Sequence, residues 1–119
     1  MTNVLAILIL TTGFSVAVET KDGFVERSFV NTPEGVEQFL DFSDPLIARE
    51  GKTVKVCTVT LAEDGGAVMH WLLANNIGPA MMSSVAHRSY AEKNAVAQES
   101  AVTAAHACLA TFPFMRKAQ

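Results

Sequence analysis

The side chains that could act in acid–base or nucleophilic catalysis are few in this sequence and lie far apart. No acidic residue stands at a helical spacing from His87 or His106 that would build a histidine–carboxylate pair, and His70 stands beside Trp71. The serines lack the glycine context of a nucleophile elbow, and one Gly-Gly pair does not make a phosphate-binding loop. We therefore expect surface or structural roles for these residues, which are His70, His87, His106, Ser83, Ser84, Ser100, Gly65 and Gly66.

The two cysteines offer redox or metal chemistry only if they have suitable neighbours. Cys57 and Cys108 each stand in an apolar run, and neither belongs to a CxxC motif or a metal-ligand spacing. Free cysteines in apolar runs are usually buried, and reduced thiols are typical of the cytoplasm. The sequence predicts two buried, reduced thiols.

Composition bounds the class of protein. The chain has 119 residues, half of them hydrophobic and 18% charged, which suits one globular domain. Its net charge of −3 opposes binding to a phosphate backbone unless the basic residues gather on one face. The bases that would have to do so are Arg27, Lys52, Lys55, Arg88 and Lys93.

The apolar run near the start of the sequence could be a secretion signal, a membrane anchor or a buried strand. Val4–Leu10 spans seven residues, whereas a helix needs about 20 to cross a bilayer. Met1, Thr2 and Asn3 carry no charged side chain, unlike the basic start of a signal peptide. We expect a soluble, cytoplasmic protein with no membrane association, in which this run is a strand covered on both faces.

The first third of the sequence predicts an antiparallel meander. Three strand-like segments are separated by short turn signals, of which Asp22-Gly23 favours a tight hairpin. The predicted strands are 4–11, 14–20 and 24–30.

The rest of the sequence alternates between helix and strand. Thr32 and Pro33 predict a helix start, and Asp44-Pro45 predicts its interruption, with a further turn at 46–49. Strands that alternate with helices pair in parallel through crossovers. The later elements are predicted as strand 53–61, helix 67–75, strand 77–84 and one long alanine-rich helix 89–109.

Three segments in this order resemble a known family. They are "RSFVNTPEGVEQFL" at 27–40, "VKVC" at 54–57 and the stretch at 72–110. Together they resemble the RuvC-like N-terminal domain of DEDD-type insertion-sequence transposases. The resemblance implies an α/β, ribonuclease H-like fold over a single domain, residues 1–119, with a mixed five-stranded sheet of a three-stranded meander and two parallel strands.

The sequence departs from that family at the carboxylates that would hold its metal ions. Alignment with the family pattern places Leu8 at the first aspartate and Val59 or Leu61 at the glutamate, depending on the direction of counting. It places Val102 and Ala105 at the two aspartates of the last helix. Leucine, valine and alanine cannot coordinate Mg²⁺, so the resemblance implies an inactive relative with no catalytic, cofactor or metal site. A displaced site around Glu63 and Asp64 is the alternative.

The expected function is that of a catalytically inactive protein-interaction or regulatory module, of a mobile element or phage, whose partner is another protein. A nucleic-acid-binding protein without nuclease activity is the alternative, and an enzyme with a displaced metal site is the third hypothesis.

The alanine-rich final helix suits close helix packing and predicts a homodimer. Four soft apolar residues could form an adaptable interface if they are exposed, or core if they are not; they are Met69, Trp71, Met81 and Met82.

Overall fold

A mixed sheet forms the centre of the molecule in the computed structural model, which describes residues 2–116. The strands are β1 (Thr2–Leu10), β2 (Gly13–Thr20), β3 (Gly23–Phe29), β4 (Thr53–Thr60) and β5 (Ala80–Met82). The helices within these residues are α1 (Pro33–Glu50), α2 (Gly66–Ala74), α3 (Ser84–Asn94), α4 (Ala101–Thr111) and a short 3-10 helix (Pro113–Arg116). Residues 1 and 117–119 of the predicted domain lie outside the described part.

The strand order across the sheet is β3-β2-β1-β4-β5. β1, β2 and β3 pair antiparallel, whereas β4 lies parallel to β1 and β5 lies parallel to β4. The predicted meander followed by two parallel strands is therefore confirmed. Val4–Leu10 lies within the central strand, and no helix of residues 2–116 has both the length and the apolar character needed to cross a bilayer.

Each face of the sheet carries its own apolar core, because successive side chains of a strand point to opposite sides. Leu5, Ile7 and Ile9 of β1 pack with residues of α1 and α2 on one face. Ala6 and Leu8 pack with α4 on the other face. β1 is consequently buried on both faces, which explains its continuous apolar sequence.

The Asn-Thr-Pro-Glu-Gly segment joins β3 to two helices. Thr32 accepts a hydrogen bond from the Gly35 amide at 3.1 Å and caps α1, as the sequence predicted. The Asn31 side chain donates to the Gly65 carbonyl at 3.0 Å and accepts from the Val68 amide at 2.9 Å. Asn31 thus supplies from a distance the side-chain cap that Gly65, at the start of α2, cannot provide.

The predicted interruption at Asp44-Pro45 is wrong, because α1 continues through Pro45 to Glu50. Proline inside a helix costs about 3 kcal/mol, since it removes one amide donor and crowds the carbonyl four residues earlier. Asp41, four residues before Pro45, is exposed, so water can reach that region of the helix. Leu46 and Ile47 pack against the α1 side of the sheet, and this burial offsets the cost of the proline.

The predicted single helix at 89–109 is also wrong, because α3 ends at Asn94 and α4 begins at Ala101. Ala95 adopts a left-handed conformation, with φ of 53°, and ends α3. Ser100 accepts a hydrogen bond from the Val102 amide and starts α4. Local caps therefore outweigh the helix propensity of the alanine-rich sequence around them.

The strand predicted at 77–84 is shorter in the structure. Only Ala80–Met82 pairs with β4, through Cys57, Thr58 and Val59. Ser83 accepts a hydrogen bond from the Ala86 amide at 3.1 Å and caps α3. The cap ends the strand, because an N-cap serine commits the next residues to the helix.

Glu26 of β3 ties the first turn of α4 to the sheet. Its carboxylate accepts hydrogen bonds from the Ala101 amide at 2.6 Å and from the Ser100 hydroxyl at 3.2 Å. We expect Glu26→Gln to lower the free energy of unfolding by about 1–2 kcal/mol, because a charge-assisted bond to a helix N-terminus is lost. Urea denaturation measures this loss.

Glu99→Gln is the matched control for Glu26→Gln. It removes the same charge from an exposed position beside the same helix end, so we expect a change below about 0.5 kcal/mol. Equal destabilisation by both variants would show that general electrostatics, and not the Glu26 bonds, stabilises α4.

Candidate functional site

The centre of the α4 face lies where β1 and β4 run side by side. Leu8 of β1 and Val59 of β4 are direct partners in the parallel register. Both side chains are fully buried and belong to the apolar cluster beneath α4. The positions aligned with the first aspartate and the glutamate of the resembled family therefore meet across adjacent strands.

The remaining aligned positions join the same cluster. Ala105 of α4 is fully buried within it, and Val102, one helical turn earlier, packs against it while half-buried. Leu61 follows β4 and packs there too, with its amide donating to the Ile9 carbonyl at 2.7 Å. Residues far apart in sequence thus converge on one place, and every side chain aligned with a metal ligand is apolar.

The alanines of α4 allow this helix to lie close to the sheet. Ala101, Ala104, Ala105 and Ala107 are all fully buried, whereas His106 is exposed. Small side chains on the buried face bring the helix backbone near the strands, so the centre beneath it is filled by packed carbon atoms. These alanines pack against the sheet of their own chain. The homodimer predicted from them stays a prediction.

The centre beneath α4 is an apolar cluster. No model of a known protein family and no curated protein matches the chain. The resemblance to DEDD-type transposase domains stays a prediction, which depends on the quoted segments and on the convergence of the aligned positions beneath α4.

The alternative carboxylates, Glu63 and Asp64, lie in the exposed loop between β4 and α2. Asp64 accepts a hydrogen bond from the Gly66 amide at 2.9 Å and so stabilises the turn into α2. Among residues 2–116, no three histidine, cysteine or acidic side chains gather in a way that could hold a metal ion. The loop therefore presents two carboxylates to solvent, with the Asp64 oxygen engaged in the helix start.

The three histidines lie on three different helices. His70 of α2 is exposed, and His106 of α4 is exposed with its ring edge-on to Phe24 at 5.3 Å between centroids. His87 of α3 is fully buried, and its Nε2 lies 2.7 Å from the Gln98 carbonyl oxygen. His87 thereby holds the α3–α4 loop in place. The sequence predicted a surface or structural role for this histidine, and the structure shows the structural one.

The two cysteines are free, buried and adjacent, which spacing in the sequence did not reveal. Cys57 of β4 and Cys108 of α4 lie in the same cluster as Leu8 and Val59. A side-chain hydrogen bond with Cys108, together with burial, raises the pKa of the Cys57 thiol well above its ordinary value. A thiol kept protonated and covered is a poor nucleophile, which favours a packing role for Cys57.

The raised pKa of Cys57 predicts a loss of stability at alkaline pH. In the unfolded chain this thiol ionises above about pH 8.5, whereas in the folded protein it keeps its proton. Above that pH the unfolded state binds fewer protons than the folded state. The contribution of the Cys57 thiol to the free energy of unfolding is therefore complete below about pH 8.5, and above it falls by at most about 1.4 kcal/mol per pH unit.

Cys57→Ala is the comparison for this pH dependence. We expect the variant to be less stable at neutral pH but to lose stability less steeply than the wild type above about pH 9. Urea denaturation at several pH values gives both profiles. Parallel profiles would contradict a buried, protonated Cys57.

The basic residues that nucleic-acid binding would require do not all share one face. Arg27 of β3 lies over the Phe42 ring of α1, with the guanidinium carbon 4.9 Å from the ring centroid. Lys55 of β4 belongs to the opposite face, where its ammonium group donates to the Phe114 carbonyl at 3.5 Å. These two cations are separated by the sheet, and each lies against an aromatic ring.

A second feature, absent from the sequence predictions, is an apolar groove between α1 and α2. It consists of two cavities of about 280 Å³ and 550 Å³, both of which are lined by Leu40 and Trp71. We call the two together the α1–α2 groove. The sequence indicated an apolar stripe on α1 and another on α2. Only the structure shows that these two stripes do not pack fully against each other.

The four soft apolar residues do not form one exposed surface. Met69 and Trp71 are half-buried, Met82 is core and Met81 is exposed.

Proposed function

We propose that this protein is a catalytically inactive, ribonuclease H-like relative of the transposase domains, acting as a protein-interaction or regulatory module of a mobile element or phage. The observation that carries the proposal is the apolar centre formed by Leu8, Val59 and Ala105 beneath α4. The sheet order, with a meander followed by two parallel strands, supports the same fold assignment.

The chemistry of this centre argues against phosphodiester cleavage there. Two-metal catalysis needs carboxylates that hold two cations about 3.5–4 Å apart. Leu8 and Val59, fully buried hydrocarbon side chains, offer no oxygen ligand and leave no room for hydrated ions. Because this centre is filled with hydrocarbon, we infer that the chain acts by binding and not by cutting.

Protein binding is favoured over nucleic-acid binding by charge. The chain carries a net charge of −3, and Arg27 and Lys55 lie on opposite faces of the sheet. Affinity for nucleic acid comes largely from cations placed along one phosphate path. Binding to nucleic acid without cleavage is therefore the second candidate.

The proposed function is tested by incubating the purified protein with supercoiled, single-stranded and branched DNA in Mg²⁺ or Mn²⁺. We expect no cleavage above the level given by a Glu63→Ala/Asp64→Ala variant, and no mobility shift of DNA at tens of micromolar protein in low salt. Cleavage that disappears in the double variant would establish the displaced metal site. A salt-sensitive shift without cleavage would establish the nucleic-acid alternative.

A further inference from the structure

The α1–α2 groove is an apolar recess on the face of the sheet away from α4. Its wider cavity, of about 550 Å³, is lined by both helices, including Val36, Leu40 and Ala67. The adjoining cavity, of about 280 Å³, reaches the sheet at Leu5 and Ile7. The two cavities therefore follow one another along α1, from Pro33 to Ile47, and the second reaches down to core residues.

The charges that line the groove are of one sign. Glu37 lines the wider cavity and Asp44 lines the deeper one, and no lysine or arginine among residues 2–116 lines either. Both carboxylate residues are exposed, and they lie seven residues apart on α1, which is about 10 Å along a helix. α2 contributes no acidic or basic residue, apart from His70.

We propose that the α1–α2 groove binds an amphipathic peptide helix of a partner protein, with apolar anchors in the groove and basic residues facing Glu37 and Asp44. An apolar groove between two helices fits the helix-in-groove mode of recognition. Two carboxylates about 10 Å apart complement two cations spaced by two turns on the bound helix. The inference deepens the proposed function, since it names the surface and the chemistry of the partner.

Trp71 reports directly on this groove. It is the only tryptophan in the sequence, it is half-buried, and it lines both cavities. Its ring packs edge-on against Phe39, with 6.0 Å between ring centroids. A helix that enters the groove would remove water from the indole and shift its emission to shorter wavelength.

The test uses a tryptophan-free model peptide of leucine and lysine, four helical turns long, with leucine on one helical face. We expect saturable binding with a blue shift of Trp71 emission, and no shift with the matched leucine–glutamate peptide. The Glu37→Lys/Asp44→Lys variant should weaken binding of the lysine peptide by about tenfold or more. Both positions are exposed, so the variant should fold.

The matched control is Asp41→Lys/Glu92→Lys, which changes net charge equally at exposed positions outside the groove. We expect it to bind the lysine peptide within about twofold of the wild type. Equal weakening by both double variants would overturn the proposal, because the peptide would then sense only net charge. Absence of binding would overturn it as well, and would leave the proposed function intact, since that depends on the DNA assays.

Discussion

Leu8→Asp is expected to leave most of the protein unfolded at neutral pH. Leu8 is fully buried between β2 and β4 and beneath α4, so its replacement loses apolar burial and places a carboxylate among hydrocarbon side chains. Truncation of a buried leucine alone costs about 2–5 kcal/mol, and an unpaired buried charge adds several more. The sum approaches the total stability of a typical domain. Circular dichroism during thermal and urea denaturation measures the effect.

Leu8→Asn and Leu8→Met separate the causes. Leu8→Asn has nearly the shape of Leu8→Asp without a charge, so it should be destabilised by less than the aspartate variant. Leu8→Met keeps volume and hydrophobicity and should cost less than about 1.5 kcal/mol. Wild-type stability of Leu8→Asp would show that this position is an open, solvated cleft and would contradict a packed apolar centre.

Gly35→Ala is expected to lower the free energy of unfolding by about 3 kcal/mol, the upper part of the range for overpacking. A Cβ at Gly35 would overlap the carbonyl oxygen of Val30, and it would also press on the Val30 side chain. Because the oxygen belongs to the backbone, relief requires separating the end of β3 from the start of α1. Urea denaturation with linear extrapolation quantifies the loss.

Gly78→Ala is the control for this effect. Apart from Gly78 itself and its two chain neighbours, no residue of 2–116 has an atom within 4 Å of a Cβ built at Gly78, and its φ lies outside the left-handed range. We expect a change between neutral and a gain of up to about 1 kcal/mol, since alanine restricts the unfolded chain. Equal destabilisation of both variants would mean that Gly35 is constrained by something other than its contact with Val30.

The sheet could be predicted from the sequence because its signals are local. β1 shows as an unbroken apolar run, and Asp22-Gly23 marks the hairpin between β2 and β3. The start of α1 could be predicted for the same reason, since Thr32 and Pro33 act on their own first turn. Features of this kind need no knowledge of the rest of the chain.

The continuation of α1 and the start of α4 depend on distant contacts and were predicted less well. α4 starts at Ala101 partly because Glu26, 75 residues earlier, binds its first turn. α1 passes through Pro45 because Leu46 and Ile47 are held against the sheet. Neither contact has a local signature, so the helix propensity of the alanines and the helix-breaking tendency of the proline misled the prediction.

The apolar centre and the α1–α2 groove also differ in how far the sequence could predict them. The resemblance aligned Leu8, Val59 or Leu61, Val102 and Ala105 with metal ligands, and the structure brings these residues into one apolar cluster, while their correspondence to metal ligands stays a prediction. The adjacency of Cys57 and Cys108 and the α1–α2 groove were missed. Both arise from how helices are placed on the sheet, which periodicity within one helix does not specify.

The central claim is that the positions aligned with the metal ligands of the resembled family form a packed apolar core. It is tested most directly by Mn²⁺ titration followed by methyl NMR. Mn²⁺ broadens the signals of nearby nuclei, and Leu8, Val59 and Val102 place methyl groups within the centre itself. We expect no selective broadening of these methyl signals as Mn²⁺ rises to millimolar concentration. Selective broadening of the Leu8 and Val59 methyl signals at lower Mn²⁺ concentration would show a bound metal at this centre and contradict the claim.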